Sequence, residues 1–108
     1  AARAAALEAA TLYATEVPLK TMKATLEVFP IVKAMAEEGN PASVSDAGVG
    51  ALAARSAVLG AHLNVRINAA GLTEREAVER LCAEAAEIAA QAIAAEAEVL
   101  EIVNKGIR

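Results

Sequence analysis

The sequence predicts an all-α protein, with long antiparallel helices forming a helical bundle that dimerisation completes. Three observations carry this expectation. Of 108 residues 56% are hydrophobic, yet there is one Phe, one Tyr and no Trp, so the apolar content is largely its 30 alanines. Alanine is the best helix former and buries little area, so helices must lie close along their length to bury enough surface. A regular apolar seam from Val78 to Ile102 repeats every three and four residues, the spacing of a helix packed against a neighbour. Finally, the main turn and cap signals fall at residues 39–46 and 71–76, leaving long helical stretches around them. Residues 1–108 are too few for more than one domain, and a core built on alanine leaves a single copy marginal.

The first stretch, residues 1 to about 38, is helical in pattern, with Leu7, Leu12, Leu19, Met22, Leu26, Phe29, Val32 and Met35 carrying its larger apolar groups. It has no capping residue ahead of it, so the sequence is expected to begin inside a helix of a longer chain. Pro18 either kinks this helix or opens a second one, and Pro30 implies a second bend. Gly39 closes the stretch in the position after a helix end.

Two starts are open for the next helix. Asn40 can cap it with Pro41 in the first helical position, or Ser43 can cap it with Asp46 completing a capping box. Asp46 lies in the first turn either way, where the helix dipole favours negative charge. The helix then runs to Ala69 or Ala70 and ends at Gly71. At 100° per residue, Asp46, Gly50, Ala53, Ala57, Gly60, Asn64 and Asn68 share one broad face, small in the middle and polar at both ends. Neither this face nor the opposite one is a leucine stripe, so the helix is expected to be surrounded by partners.

Thr73 opens the last helix, with Glu76 completing a capping box. Its seam is Val78, Leu81, Ala85, Ile88, Ala92, Ala95, Val99 and Ile102, and residues 104–106 read as a fraying end.

Composition narrows the function classes. The net charge is −4 and there is no basic stripe with interleaved aromatics, so nothing points to nucleic acid. No apolar run is long enough for a membrane span, and no signal peptide is visible, so a soluble protein is expected. The single Cys82 has no internal disulfide partner and fits a small core-facing residue in a reducing cytoplasm. With one histidine, His62, and no ligand spacing around it, no metal site is expected. Gly48 and Gly50 lie inside a helix and fail the strand–loop–helix context of a phosphate cradle.

What remains is the polar set of the central helix. Asp46 is either a helix-start carboxylate or a rigidly held group that accepts from a ligand's N–H groups or takes a proton. Asn64 and Asn68, one turn apart beside Arg66, form either a buried packing network or a ligand-binding surface. Arg66 neutralises an anionic group or pairs with a bundle glutamate.

These residues lie in blocks that resemble a known family. The blocks are ATEVPL at 14–19, GNP at 39–41, SVSDAGV at 43–49 and NVRIN at 64–68. In order and spacing they are similar to the signature of the cyclodeaminase/cyclohydrolase family. That family includes the cyclodeaminase part of formiminotransferase-cyclodeaminases and the methenyltetrahydrofolate cyclohydrolases. Family members are longer and carry a Pro-Gly-Gly-Gly-Ser stretch in their N-terminal half, absent here, so the resemblance is to the C-terminal half. It implies an all-helical homodimer that binds a tetrahydrofolate near the subunit interface, with no other cofactor. It further implies folate one-carbon interconversion, as a cyclohydrolase or a cyclodeaminase. Asp46 would be the catalytic group, Asn40, Ser43, Asn64 and Asn68 would bind pterin or amide edges, and Arg66 the anionic tail. The rival reading is a non-catalytic helical module for dimerisation or partner binding, which the Val78–Ile102 seam supports equally well.

Overall fold

The computed structural model describes residues 1–107, and among these every regular element is helical. In chain order they are α1 (Ala2–Leu26), α2 (Val28–Glu38), a single 3-10 turn (Pro41–Ser43), α3 (Val44–Ala69) and α4 (Arg75–Gly106). The first two form one bent rod that runs antiparallel to α3, and α4 returns antiparallel to α3. The register is fixed by contacts such as Lys23–Glu84 and Lys33–Glu98 between the first rod and α4, at 2.6 and 2.5 Å. The molecule measures 63 × 17 × 16 Å. Its radius of gyration, 17.4 Å, exceeds the about 13 Å of a compact domain this long. Three rods side by side leave each one a face that nothing covers.

The bend falls at Glu27, three residues before the proline expected to cause it. Pro30 has no N–H for the carbonyl of Leu26, and its ring crowds that carbonyl, so the ladder breaks one turn upstream. Pro18, by contrast, sits inside an unbroken α1. Glu38 ends α2, and Gly39 follows in extended backbone (φ −77°, ψ 174°), not in the left-handed turn usual for a glycine after a helix. Glycine is needed there for a different reason: a Cβ would collide with the Met35 carbonyl oxygen.

Neither start expected for the central helix caps it with a side chain. Asn40 caps the 3-10 turn, its Oδ1 accepting from Ala42 N at 2.9 Å with Pro41 in the first position. Ser43 then stands at the N-cap of α3, but its side chain makes no capping bond, so the Ser43–Asp46 box does not form. The start of α4 also differs from expectation. Glu74, not Thr73, is the N-cap, accepting from Glu76 N. The N–H groups of Thr73 and Glu74 are instead taken by the Glu8 carboxylate of α1, all at 3.1 Å. Those backbone bonds hold the Glu8 carboxyl below the ordinary range.

The core is a thin line of side chains, with Met22, Val58, Val65, Leu81 and Val99 almost wholly buried and alanines between them. On α4 the buried stripe follows the expected seam at Leu81, Ala85, Ile88, Ala92 and Val99, but Glu96 and Val103 are buried where Ala95 and Ile102 were expected, and those two are half-buried. A straight helix drifts about 20° per heptad against a strict seven-residue repeat, and the drift accumulated along α4 turns the residue after each late seam position toward the core. The helix also stays regular through Gly106, where a Cβ would sit 3.2 Å from Val44 Cγ2, so residues 104–106 remain helical and do not fray.

The central helix is covered on one side only. Ala47, Gly48, Ala51, Ala54, Val58, Ala61, Val65 and Ala69 face the other rods, while Val49, Leu52, Leu63 and Ile67 are exposed at 64, 46, 58 and 73%. The expectation that this helix is surrounded is therefore not met within one copy of residues 1–107.

Candidate functional site

The polar residues singled out in the sequence occupy the two ends of α3. At its start, the 3-10 turn turns the chain sharply out of α2, with Ser43 N donating to Asn40 O at 2.8 Å. Asn40, Ser43 and Asp46 are all exposed around this turn. Asp46 makes no hydrogen bond or ion pair with any other described residue, so the fold places it in the first helical turn without using its carboxylate. A cavity of about 380 Å³ between the ends of α2 and α4 is lined by Ala36, Glu37, Pro41, Val44 and Lys105, and Asp46 is not among the residues that line it. The exposed Lys105 ammonium pairs with Glu101 one turn earlier on α4, 3.2 Å away.

At the other end, Asn64 and Arg66 are exposed and Asn68 is half-buried. They do not form a buried network. Asn68 has one bond, from its Nδ2 to the carbonyl oxygen of Ala14 at 2.9 Å. That carbonyl belongs to the residue four before Pro18, the acceptor that an amide at position 18 would have satisfied. Asn68 thus replaces the donor the proline lacks. Through this bond the 14–19 and 64–68 blocks, separated in the chain, become neighbours. Val17, Pro18 and Thr21 form one wall of a groove of about 440 Å³, and Ala57, Ala61, Asn64 and Asn68 the other.

A mutant cycle reads out this pairing. Asn68→Ala is expected to lower unfolding free energy by about 0.5–1 kcal/mol, because the Ala14 carbonyl loses its protein donor at a site open to water. In a Pro18→Ala background the residue-18 amide takes that carbonyl, and the same change should cost only a few tenths. Equal costs in the two backgrounds, measured by urea unfolding, would contradict the bond's origin.

The two clusters are not one site within a single copy. Asp46 and Asn64 are separated by 18 residues of continuous helix, about 27 Å along the axis. His62, near the second cluster, has its imidazole pushed below the ordinary range by burial and by the charge of Arg66. Among the described residues no three His, Cys, Asp or Glu side chains are grouped to hold a metal ion. The residues that sequence reasoning passed over are Val17, Pro18 and Thr21, the second wall of the groove. Pro18 was their signal, since a proline inside a helix leaves a carbonyl in want of a donor.

An all-helical fold with polar, exposed ends on a small-residue central helix defines the class, and sequence comparison supplies the family. The sequence profile of the formiminotransferase-cyclodeaminase family matches residues 1–103, and the chain belongs to that family. Over 107 residues it is 37% identical to the methenyltetrahydrofolate cyclohydrolase of Methylorubrum extorquens, covering 99% of this chain and 51% of that protein. It is 36% identical over 99 residues to the formimidoyltransferase-cyclodeaminase of Dictyostelium discoideum, covering 92% of this chain and 18% of that protein. The mouse formimidoyltransferase-cyclodeaminase is 36% identical over 72 residues, 67% of this chain and 13% of that protein. The chain therefore spans about half the length of the cyclohydrolase and a smaller share of the two fused enzymes.

Proposed function

We propose that this chain forms part of an enzyme interconverting one-carbon derivatives of tetrahydrofolate, with Asp46 as its catalytic group. The observation that carries the reading is the state of Asp46. It lies in a matched sequence block, on a rigid first helical turn, exposed and engaged by nothing else in the described fold. A carboxylate that the fold positions and does not use is suited to work on a ligand.

Two reactions fit such a group, and both need proton transfer at one carbon. In cyclohydrolysis, water adds to the cationic methenyl carbon of 5,10-methenyltetrahydrofolate. The carbon–N5 bond then breaks, and the carboxylate accepts the proton released as 10-formyltetrahydrofolate forms. In cyclodeamination, N10 of a protonated 5-formimino group attacks the formimino carbon, its proton passes to the departing nitrogen, and ammonia leaves. Here the carboxylate relays the proton and stabilises the cationic bridge. Asn40 and Ser43 at one end, and Asn64 and Asn68 at the other, supply donors and acceptors for pterin and amide edges, and Arg66 a charge for the anionic tail. The reading includes a homodimer in the cytoplasm, in keeping with the free Cys82 and the uncovered face of α3, and no cofactor besides the folate.

The test is hydrolysis of methenyltetrahydrofolate, followed by loss of its absorbance, together with ammonia release from the formimino derivative. Asp46→Ala is expected to lower kcat about 100-fold or more, the usual worth of a positioned general base, with unchanged helicity and melting temperature. Unaltered turnover in that variant would remove Asp46 from the chemistry. A second reading, a helical docking module without catalysis, is favoured by the uncharged outer face of α3. It requires Asp46→Ala and Asn64→Ala to change stability alone, and wild-type protein to turn over neither folate.

A further inference from the structure

The groove between α1 and α3 has apolar walls and polar atoms of one kind. Val17 and Pro18 on α1 face Ala57 and Ala61 on α3, and its polar side chains are Thr21, Asn64 and Asn68. Two of these three are oriented by backbone carbonyls. The Thr21 hydroxyl donates to the Val17 carbonyl at 3.3 Å, which leaves its Oγ1 lone pairs open. Asn68 donates from Nδ2 to the Ala14 carbonyl at 2.9 Å. A carbonyl takes only the nitrogen end of an amide, so this partner fixes which way Asn68 is turned. Its Oδ1 is left as an acceptor that no described residue uses. Asn64 is exposed and one turn away, free to show a ligand either end of its amide.

We propose that Pro18 sets the polarity of this groove through Asn68, so that the groove selects a planar ring edge carrying N–H donors. The proline removes the amide that would have bonded the Ala14 carbonyl, the carbonyl holds Asn68 by its nitrogen, and the amide oxygen remains for a ligand. Thr21 adds an acceptor on the opposite wall. An edge of carbonyl oxygens or bare ring nitrogens would bring lone pairs against lone pairs and lose its water bonds without replacement. An edge of N–H groups meets acceptors on both walls. The identity of the ligand rests on the folate reading, and the polarity does not. On that reading the edge is the 2-amino and N3–H side of the pterin ring. The amide of the tail, with a single N–H, matches the groove less well. Asn68 and Thr21 are then specificity-determining contacts, and Pro18 is a positioning residue that acts on the ring edge through Asn68.

Two probes of equal size separate polarity from shape. 6-Methylpterin carries the 2-amino group, and 6-methyllumazine has a carbonyl oxygen in its place. Titrations of the whole 108-residue chain, followed by the probes' own fluorescence, are expected to show the lumazine binding about tenfold more weakly or worse. Thr21→Val keeps the side-chain shape and removes the hydroxyl. It should weaken the pterin several-fold and leave the lumazine no weaker. In Pro18→Ala the residue-18 amide takes the Ala14 carbonyl, and Asn68 can turn its nitrogen to the groove. The lumazine should then bind several-fold more tightly than it does to wild type. A loosened groove would weaken both probes together, so a gain for one of them is not a packing effect. Equal affinities in wild type overturn the proposal, as does binding of neither probe at the solubility limit of the pterin. A selectivity that Pro18→Ala leaves untouched overturns the role of the proline. The folate reading fails by a different result. Pterin selectivity as expected, with no turnover of methenyltetrahydrofolate, would remove the folate chemistry and leave the polarity standing. Turnover without selectivity between the probes would do the reverse.

Discussion

Replacing Arg55 with alanine is expected to destabilise the protein by about 3 kcal/mol, and replacing Glu96 by clearly less. The two side chains join α3 to α4, with Arg55 Nη1 at 3.3 Å from both oxygens of Glu96. Their surroundings are unequal: the Glu96 side chain is 8% exposed and that of Arg55 is 40% exposed. Without Arg55 the carboxylate stays in the core with no partner, and the desolvation cost of a buried charge falls on the folded state in full. Without Glu96 the guanidinium can turn to water. The pair is also not an ideal fork. One nitrogen serves both oxygens, while Nε is buried and makes no hydrogen bond among the described residues. Swapping both residues for apolar ones of similar volume, as in Arg55→Met with Glu96→Leu, should therefore cost little or even stabilise. Urea unfolding of the three variants decides the matter. If Glu96→Ala costs as much as Arg55→Ala, the burial asymmetry is not what sets the energy.

Glu96 also shows where sequence patterning stops being informative. The seam of α4 was legible because Leu81, Ala85, Ile88 and Ala92 repeat at the spacing of a packed helix, and their burial follows. A strict heptad extended from them selects Ala95 and passes over the glutamate, and only the accumulated drift of a straight helix brings a charged residue inward. The bend before Pro30 was equally legible, because a missing N–H acts on a carbonyl four residues away. The Glu8 clamp on Thr73 and Glu74 was not, since it joins residues 65 and 66 apart and nothing local marks it. For the candidate site, the helix that carries the proposed residues was easier to read than their spacing along it. Grouping Asp46, Asn64 and Asn68 by helical face was correct in azimuth, and all three lie on α3. It left out the rise along the axis, which keeps the ends apart. The link from Asn68 to Ala14 was within reach of sequence reasoning through Pro18, as a donor sought by a freed carbonyl.

Gly48→Leu is expected to cost about 3 kcal/mol, the upper end of what overpacking a tight contact does. This glycine of α3 lies against the side chains of α4. A Cβ built on it falls 3.2 Å from Val103 Cγ1, 3.6 Å from Val103 Cγ2 and 3.7 Å from Leu100 Cδ2. One methyl can be taken up by a small shift of the Val103 side chain. Alanine also gains up to about 1 kcal/mol in helix propensity over glycine, so Gly48→Ala should be close to neutral. Three further carbons have no such space, because the neighbours are themselves core residues and Val103 is 3% exposed. They must push the rods apart along a contact that also carries Gly106 against Val44. Gly50→Ala provides the control: its Cβ would meet only Val32, at an ordinary 3.6 Å, and the variant should be more stable than wild type by about 0.5–1 kcal/mol. Denaturant midpoints at constant m-value measure the series. Wild-type stability for Gly48→Leu would mean that α3 and α4 do not approach as closely as this glycine implies. Loss of stability in Gly50→Ala would place a further element against α3 at that position.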